Sequence, residues 1–568
     1  MRASILKDFQ PALLTSLKNY NREKFMADLM AGIIVGIVAL PLAIAFGISS
    51  GVTPEKGIIT AIIAGFIISF LGGSTVQIGG PTGAFIVIVY GIVEKFGLQG
   101  LAIATVMAGI MLLLMGVMKL GSVIKFIPHP IVVGFTSGIA LTIFSTQIKD
   151  LFGLSIEHVP SDFIAKWGVY FEHFHTIDMW STIIGLVSVV IIFLSPKIFK
   201  KIPGSLVAII LMTLIVYLMR HYAGVEGVDT IGDRYEISAT LPKMAPIGIT
   251  LESMRALFPS AFAIAMLGAI ESLLSATVAD GVTGERHNSN MELIAQGAAN
   301  IITPFFGGIP STGAIARTMT NINNGGKTPI AGIIHAVVLL LILLFLGDLT
   351  KHIPMACLAG VLVVVAYNMS EWRSFISLSK QSRETFIVLM TTFLLTVIFD
   401  LTIAIAIGLL LSVFIFMKRM NESTTISQNS GKLDVLKGVE YDTDNLKNSL
   451  LHIPKGVEVY EIEGPFFFGV ANKFDDLTRE MGDKPKVRII RMRKVPFMDS
   501  TGINNLEMLC RRAQKERIQI VLSGVNESVS KRLYKSHVPD MIGKENICND
   551  IHHALERADE LIGPAEAH

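Results

Sequence analysis

Charged residues are scarce in this sequence. They make up 17% of the chain, against 51% hydrophobic residues, and the mean hydropathy is +0.58. Two stretches, 31–53 and 58–93, carry no charge at all. Soluble globular chains hold about a quarter charged residues, so this composition excludes one. Neither sign of charge prevails: 48 basic and 46 acidic residues leave +2, which gives no electrostatic footprint for nucleic acid. Cysteine is nearly missing. Cys357, Cys510 and Cys548 form an odd, widely spaced set, which suggests neither a disulfide framework nor a metal site. His173 and His175 have ligand-like spacing but no further partners, so no metal is expected. The Walker lysine motif and the Gly-rich phosphate fingerprint are also missing, so no ATP hydrolysis and no cofactor are expected. The first 25 residues contain Lys7, Lys18, Arg22 and Lys24 without a continuous apolar core, so no cleavable signal peptide is expected.

What is present is apolar sequence, broken twice in the same way. One break reads Gly79-Gly80-Pro81-Thr82-Gly83-Ala84-Phe85; the other reads Gly308-Ile309-Pro310-Ser311-Thr312-Gly313-Ala314-Ile315. Each has glycine, then proline, then Thr-Gly-Ala. In a bilayer such a break frees backbone N–H groups that lipid cannot satisfy, so it persists only where the backbone faces protein, water or a ligand. A break that recurs in corresponding halves points to a transporter built from inverted repeats, with two half-helices starting near the midplane. Helix N-termini present free N–H donors and partial positive charge, and two facing one point make an anion site.

Apolar spans fall near 29–48, 57–71, 83–94, 98–118, 130–148, 179–195, 204–220, 256–279, 291–305, 312–321, 329–347, 354–369, 384–399 and 401–417. That is about 14, in two sets of seven. The third and tenth are too short to cross a core of ~30 Å alone, and both follow the Pro/Gly breaks. Residues 9–20 read as a short amphipathic helix at the inner surface. Loops holding Lys119 and Lys125, Lys197, Lys200 and Lys201, and Arg373, Lys380 and Arg383 are basic, whereas 149–178 and 221–255 mix signs. The positive-inside rule therefore places both termini of a multi-pass membrane protein in the cytoplasm. The expected division is a cytoplasmic segment 1–27, a membrane domain 28–420, a polar linker 421–445 and a soluble domain 446–568. In the last, 457–462, 486–492 and 518–522 read as strands, with helices around 469–481 and 501–516, giving a small α/β domain.

Glu271 lies in the apolar run Leu267-Gly268-Ala269-Ile270-Glu271-Ser272-Leu273-Leu274-Ser275. An ionisable residue inside a span is a functional candidate. Because burial disfavours the charged form of a carboxylate, it can exchange a proton near neutral pH. The bland alternative is a structural partner for an Arg or a backbone group. Ser275, one turn on, is the candidate ligand for a coupling ion other than the proton. Arg317 adds full positive charge and bidentate geometry to the helix-terminus site formed by Thr82, Gly83, Ala84, Phe85, Thr312, Gly313 and Ala314. Its alternatives are a structural pair with Glu271 or a reach to the surface. Pro41 reads as a kink. Asp280, Glu285, Arg286 and His287 read as solvated loop charges, and His335 as a hydrogen-bonded core residue. In Pro496-Phe497-Met498-Asp499-Ser500-Thr501-Gly502, Ser500 opens a helix, where a hydroxyl serves as a cap or as a phosphorylation site.

Leu40-Pro41-Leu42-Ala43, Gly80 to Ala84, Gly134-Phe135-Thr136-Ser137-Gly138, Glu271 to Leu274, Phe305 to Gly308, Ala314 to Arg317 and Asp499 to Gly502 together resemble the sulfate permease (SulP) family of anion transporters. The resemblance covers nearly the whole chain. It implies a seven-plus-seven inverted-repeat membrane domain with core and gate subdomains, a cytoplasmic STAS domain, an elevator-like movement and a homodimer. Gly134 to Leu154, Ala265 to Leu274 and Asn368 to Glu371 resemble the proton-coupled C4-dicarboxylate transporters of the family most closely. Many sulfate permeases carry Gln after the first Leu-Pro, where this chain has Leu42. Sodium-coupled members have Asp at the Glu271 position and no base at the Arg317 position, so the resemblance favours proton symport. The implied substrate is a small anion: C4-dicarboxylate, sulfate or bicarbonate. Sodium-coupled uptake and an anion channel are the alternatives within the fold. A membrane-anchored regulator that binds a cytoplasmic partner through its STAS domain is the alternative of another class.

Overall fold

The computed structural model describes residues 9–124, 127–198, 203–224, 227–236, 244–248, 250–399, 401–429, 432–434, 450–466 and 485–563. The chain divides into two compact units, Met1–Leu411 and Ser412–His568.

Helices α1 (Arg22–Ser49), α2 (Pro54–Leu71), α3 (Ile86–Val117), α4 (His129–Phe152), α5 (Met179–Ile198) and α6 (Gly204–Ala223) form the first half of the membrane unit. The second half holds α7 (Leu251–Thr283), α8 (Ser289–Ile302), α9 (Ile315–Asn323), α10 (Ile330–Thr350), α11 (Met355–Met369), α12 (Arg383–Ile398) and α13 (Leu401–Ser423). Every apolar span falls on one of them. The loop expected between spans three and four shrinks to one residue: α3 runs through Gly97, whose φ of 67° only glycine adopts cheaply, so both spans share one helix. Among the described residues, nine helices are long and apolar enough to cross a membrane.

These helices pack as two groups. Helices α1 and α2 lie on α10, while α7 and α8 lie on the second half of α3. The same arrangement thus occurs once in each half, as inverted repeats require. With α9 they form the core group. In the gate group α11 and α12 pack on α4, α5 packs on α11, and α6 packs on α5. Small residues allow the close approaches, as membrane helices demand. Gly109 of α3 and Gly297 of α8 each face the other helix's backbone, where a Cβ would come within 2.8 Å of a carbonyl oxygen.

The second unit holds a five-stranded sheet in the order β3 (Thr425–Asn429), β6 (Val457–Glu463), β7 (Val487–Lys494), β8 (Gln519–Ser523) and β9 (Ile547–Cys548). The short strands β1 (Gly79–Gly80) and β2 (Thr312–Gly313) belong to the membrane unit, and β4 (Lys432–Asp434) pairs separately with β5 (Leu450–His452). Strands β6 to β9 are parallel and β3 is an antiparallel edge. One face of the sheet buries Tyr460, Ile490 and Met492; the other buries Val459, Ile489 and Val521. Burial on both sides explains the run Ile489-Ile490 in place of strict alternation. Glu458 and Arg488 are cross-strand neighbours paired at 3.2 Å. The expected linker is in part a strand: residues 425–429 are polar because an edge strand is half solvated. The helix expected at 469–481 lies outside the described residues. The helix at 501–516 is α14 (Ser500–Lys515). Its cap is Asp499, whose carboxylate accepts the Gly502 N–H at 2.7 Å, so the cap role expected of Ser500 passes to its neighbour. Ser500 is exposed in the first turn.

Candidate anion site

The two Pro/Gly breaks meet. β1 and β2 pair antiparallel, Gly79 with Gly313 and Gly80 with Thr312, and the Ala314 N–H donates to the Ile78 carbonyl at 2.9 Å. Backbone groups that neither half-helix could satisfy are thus satisfied by the other break. From this bridge one chain turns through a 3-10 turn at Gly83–Phe85 into α3, and the other passes Ala314 into α9.

Side chains fix the bridge from behind. Asn300 accepts the Ser311 N–H at 2.9 Å and donates to the Ser311 carbonyl at 2.8 Å. The Thr60 hydroxyl accepts the Ile309 N–H at 2.8 Å, and Asn321 donates to the Val76 carbonyl at 2.9 Å. Glu292 is fully buried and accepts from the Gly73 and Ser74 N–H groups, Gln77 and Gln296. Glu292, Gln77 and Asn300 did not figure among the sequence candidates. Glu292 carried the same signal as Glu271, an acid among apolar residues in Met291-Glu292-Leu293-Ile294-Ala295.

Helix α7 is tied to both breaks by one threonine each. The Thr312 hydroxyl donates to the Gly268 carbonyl at 2.9 Å, and the Thr82 hydroxyl donates to Glu271 Oε2 at 2.9 Å. Arg317 is 2% exposed; its Nη2 donates to the Pro81 carbonyl at 3.1 Å, while Nη1 meets no hydrogen-bond partner. Gly80 makes room for the guanidinium, since a Cβ there would lie 2.1 Å from Nη1.

These groups border a cavity of about 350 Å³ between the core and gate groups. The core contributes Thr82, Gly83, Glu271, Gly313, Ala314 and Arg317; the gate contributes Phe135, Thr136, Asn368, Met369 and Glu371. A second cavity of about 350 Å³ shares Leu42, Ala316, Arg317, Val365 and Asn368 and extends past Phe193 and Pro203. Ala84, Phe85 and Thr312 are buried and do not line the central cavity. The Phe85 ring packs toward Gly268, and Thr312 is held by the same residue's carbonyl. Ser275 sits behind the site, its hydroxyl 3.4 Å from that of Thr318. Glu271 pairs with Thr82, not with Arg317. His287 is not a solvated loop residue: its ring turns inward onto Asp280 at 2.7 Å.

A larger hollow of about 750 Å³ lies among Lys149, Asp150, Asp178, Asp229 and Arg234. Arg234 is spent there on Asp150 at 2.6 Å and Asp229 at 2.8 Å, whereas Arg317 at the central cavity has no carboxylate partner among the described residues.

The model of the sulfate permease family matches residues 25–392, and that of the STAS domain matches 449–554. The chain belongs to the sulfate permease family. A putative sulfate transporter of Bacillus subtilis, YvdB, is 40% identical over 548 residues, covering 96% of this chain and 99% of the relative. The bicarbonate transporter BicA of Picosynechococcus sp. is 30% identical over 506 residues, covering 85% of each. Among solved structures, murine Slc26a9 in its inward-facing state superposes with a TM-score of 0.85 at 20% identity, covering 98% of this chain and 95% of that one. That likeness shows the fold. The transmembrane domain of a cyanobacterial BicA gives a TM-score of 0.61 at 30% identity, covering 68% of this chain and 98% of that one. This chain is accordingly a multi-pass anion transporter with a STAS domain, not an enzyme.

Proposed function

We propose that this transporter takes up a small oxyanion together with a proton, and that Glu271 carries the proton. The observation behind this is the Thr82–Glu271 hydrogen bond at the rim of a cavity that Arg317 also lines. An ionised carboxylate is acceptor-only, so it takes the single O–H of Thr82. A protonated Glu271 can donate its own O–H to the Thr82 oxygen, which frees the threonine hydroxyl to donate to an anion. Protonation thus removes one repelling charge and adds one donor. Proton and anion then favour each other's binding, reciprocally, as linkage requires.

The bound anion sits against the Arg317 guanidinium, the Thr82 hydroxyl and the N–H groups at the starts of α3 and α9. The cavity has room for bicarbonate, sulfate or a C4-dicarboxylate. The core group then moves against the gate group in an elevator-like step, between 28 and 420, and both termini face the cytoplasm of a bacterial inner membrane. The protein works as a homodimer. Its soluble domain regulates transport through a cytoplasmic partner, with exposed Ser500 as the site a kinase would modify.

Purified protein in proteoliposomes tests the reading. Labelled bicarbonate, sulfate and fumarate are offered with and without an inward pH gradient. Accumulation driven by the gradient is expected. Uptake that follows sodium instead moves the coupling to the Ser275 region. Flux that no ion gradient drives makes the protein a channel.

A further inference from the structure

Glu371, on the gate side, lines the central cavity together with Arg317 and Glu271. Among the described lining residues these three carry the charge: one positive, two negative. Glu371 closes the end of α11, where its backbone has φ 42° and ψ 37°, the left-handed region that a glutamate adopts at a steric cost. The turn is held in place by the Ser137 hydroxyl, which donates to the Ser370 carbonyl at 2.5 Å. Glycine or asparagine would suit this backbone better. Persisting strain at a ligand cavity is a pointer to a role for the side chain.

Two ordinary uses of the carboxylate are not made. It precedes the helix Trp372–Ser379 as the N-cap residue, yet it accepts no capping hydrogen bond. The nearest base in sequence, Arg373, lies over the Trp372 ring at 5.3 Å. The residue is half-buried and lines the cavity.

We propose that Glu371 sets the charge of the anion the site accepts, biasing it toward a monovalent oxyanion. The inference rests on the anion-site reading above. With Glu271 protonated, Arg317 and Glu371 cancel. A monovalent anion such as bicarbonate then leaves the site with one net negative charge, and a divalent one such as sulfate leaves two. Glu371 repels each unit of charge on the anion, so a dianion carries about twice the penalty of a monoanion. Helix N-termini soften this penalty, but they act equally on both anions per unit charge. The core carries Glu271 and Arg317 and the gate carries Glu371, so discrimination is exercised where the two groups face each other.

Full-length protein in proteoliposomes at pH 7.5 provides the test, with sulfate and bicarbonate as the divalent and monovalent probes. Apparent affinities for each are measured in the parent, Glu371→Gln and Glu371→Asp. Glutamine is isosteric and equally strained at this φ, so it removes only the charge. Glu371→Gln should improve sulfate affinity relative to bicarbonate on the order of ten-fold, the scale of one charge–charge interaction across partly solvated protein. Glu371→Asp should keep the parent's preference. An unchanged sulfate-to-bicarbonate ratio in Glu371→Gln overturns the proposal and leaves the anion site standing. A parent protein that moves fumarate alone overturns this proposal and leaves the anion site standing; one that moves none of the three anions overturns the anion-site reading, and this proposal with it.

Discussion

At the scale of single residues, the two threonines of the paired breaks have different duties. Thr312 gives its hydroxyl to the Gly268 carbonyl and anchors α7; Thr82 gives its hydroxyl to a carboxylate that can itself become a donor. The glycines differ as well. A Cβ on Gly313 would strike the Gln77 side chain at 2.0 Å, whereas one on Gly83 would meet Met369 at 3.1 Å and Phe46 at 3.5 Å, both on the cavity wall. Gly83→Val should therefore fill the cavity and raise the KM for anion uptake on the order of ten-fold or more, with the melting temperature little changed. Uptake kinetics and thermal unfolding of the purified variant check this together. The repeated Pro/Thr-Gly-Ala pattern in the sequence marked both breaks, but it could not tell which member of each pair faces the ligand. That depends on the direction of the backbone as it leaves the β1–β2 bridge, which long-range pairing sets.

At the scale of elements, the site depends on an irregular bridge buried within a helical unit. Its stability comes from side chains that take over the work of missing helical hydrogen bonds. Asn300 is the tightest clamp, bonding both the N–H and the carbonyl of Ser311 and also the Gln296 carbonyl at 2.9 Å. Asn300→Ala leaves buried backbone groups without partners, at about 1–3 kcal/mol for each. The expected outcome is a lower unfolding temperature and a weaker apparent anion affinity, read from thermal melts with and without substrate. The spans were legible because apolar runs of that length have few other uses. The division into core and gate was not legible from periodicity, since every span is apolar on most faces. Glu292 shows the limit of the buried-acid signal: it identifies Glu271 and Glu292 alike, yet only Glu271 reaches the cavity, while Glu292 is consumed by two backbone N–H groups and two amides. Glu371 reads in sequence as part of the Asn368 to Glu371 stretch and not as a site residue, because it ends a span, where an acid is unremarkable. The strand at 425–429 escaped notice for a similar reason: half-solvated edge strands have linker-like composition.

At the scale of the whole molecule, the chemistry lies in the membrane unit and is carried by few groups. Arg317 supplies charge, the half-helix starts supply N–H donors, and the Thr82–Glu271 pair supplies the link between proton and anion. The central claim is that Glu271 is the coupling group. Glu271→Gln carries a permanent amide donor in place of the protonated acid and cannot exchange a proton. The deciding measurement is labelled-anion uptake into proteoliposomes at external pH 5.5 and 7.5, with and without an imposed pH gradient, for parent and Glu271→Gln. The account predicts that the parent accumulates anion up the gradient and favours pH 5.5. The variant should still bind and exchange anion, with little dependence on pH and no accumulation. Gradient-driven accumulation by Glu271→Gln at the parent's level would contradict it.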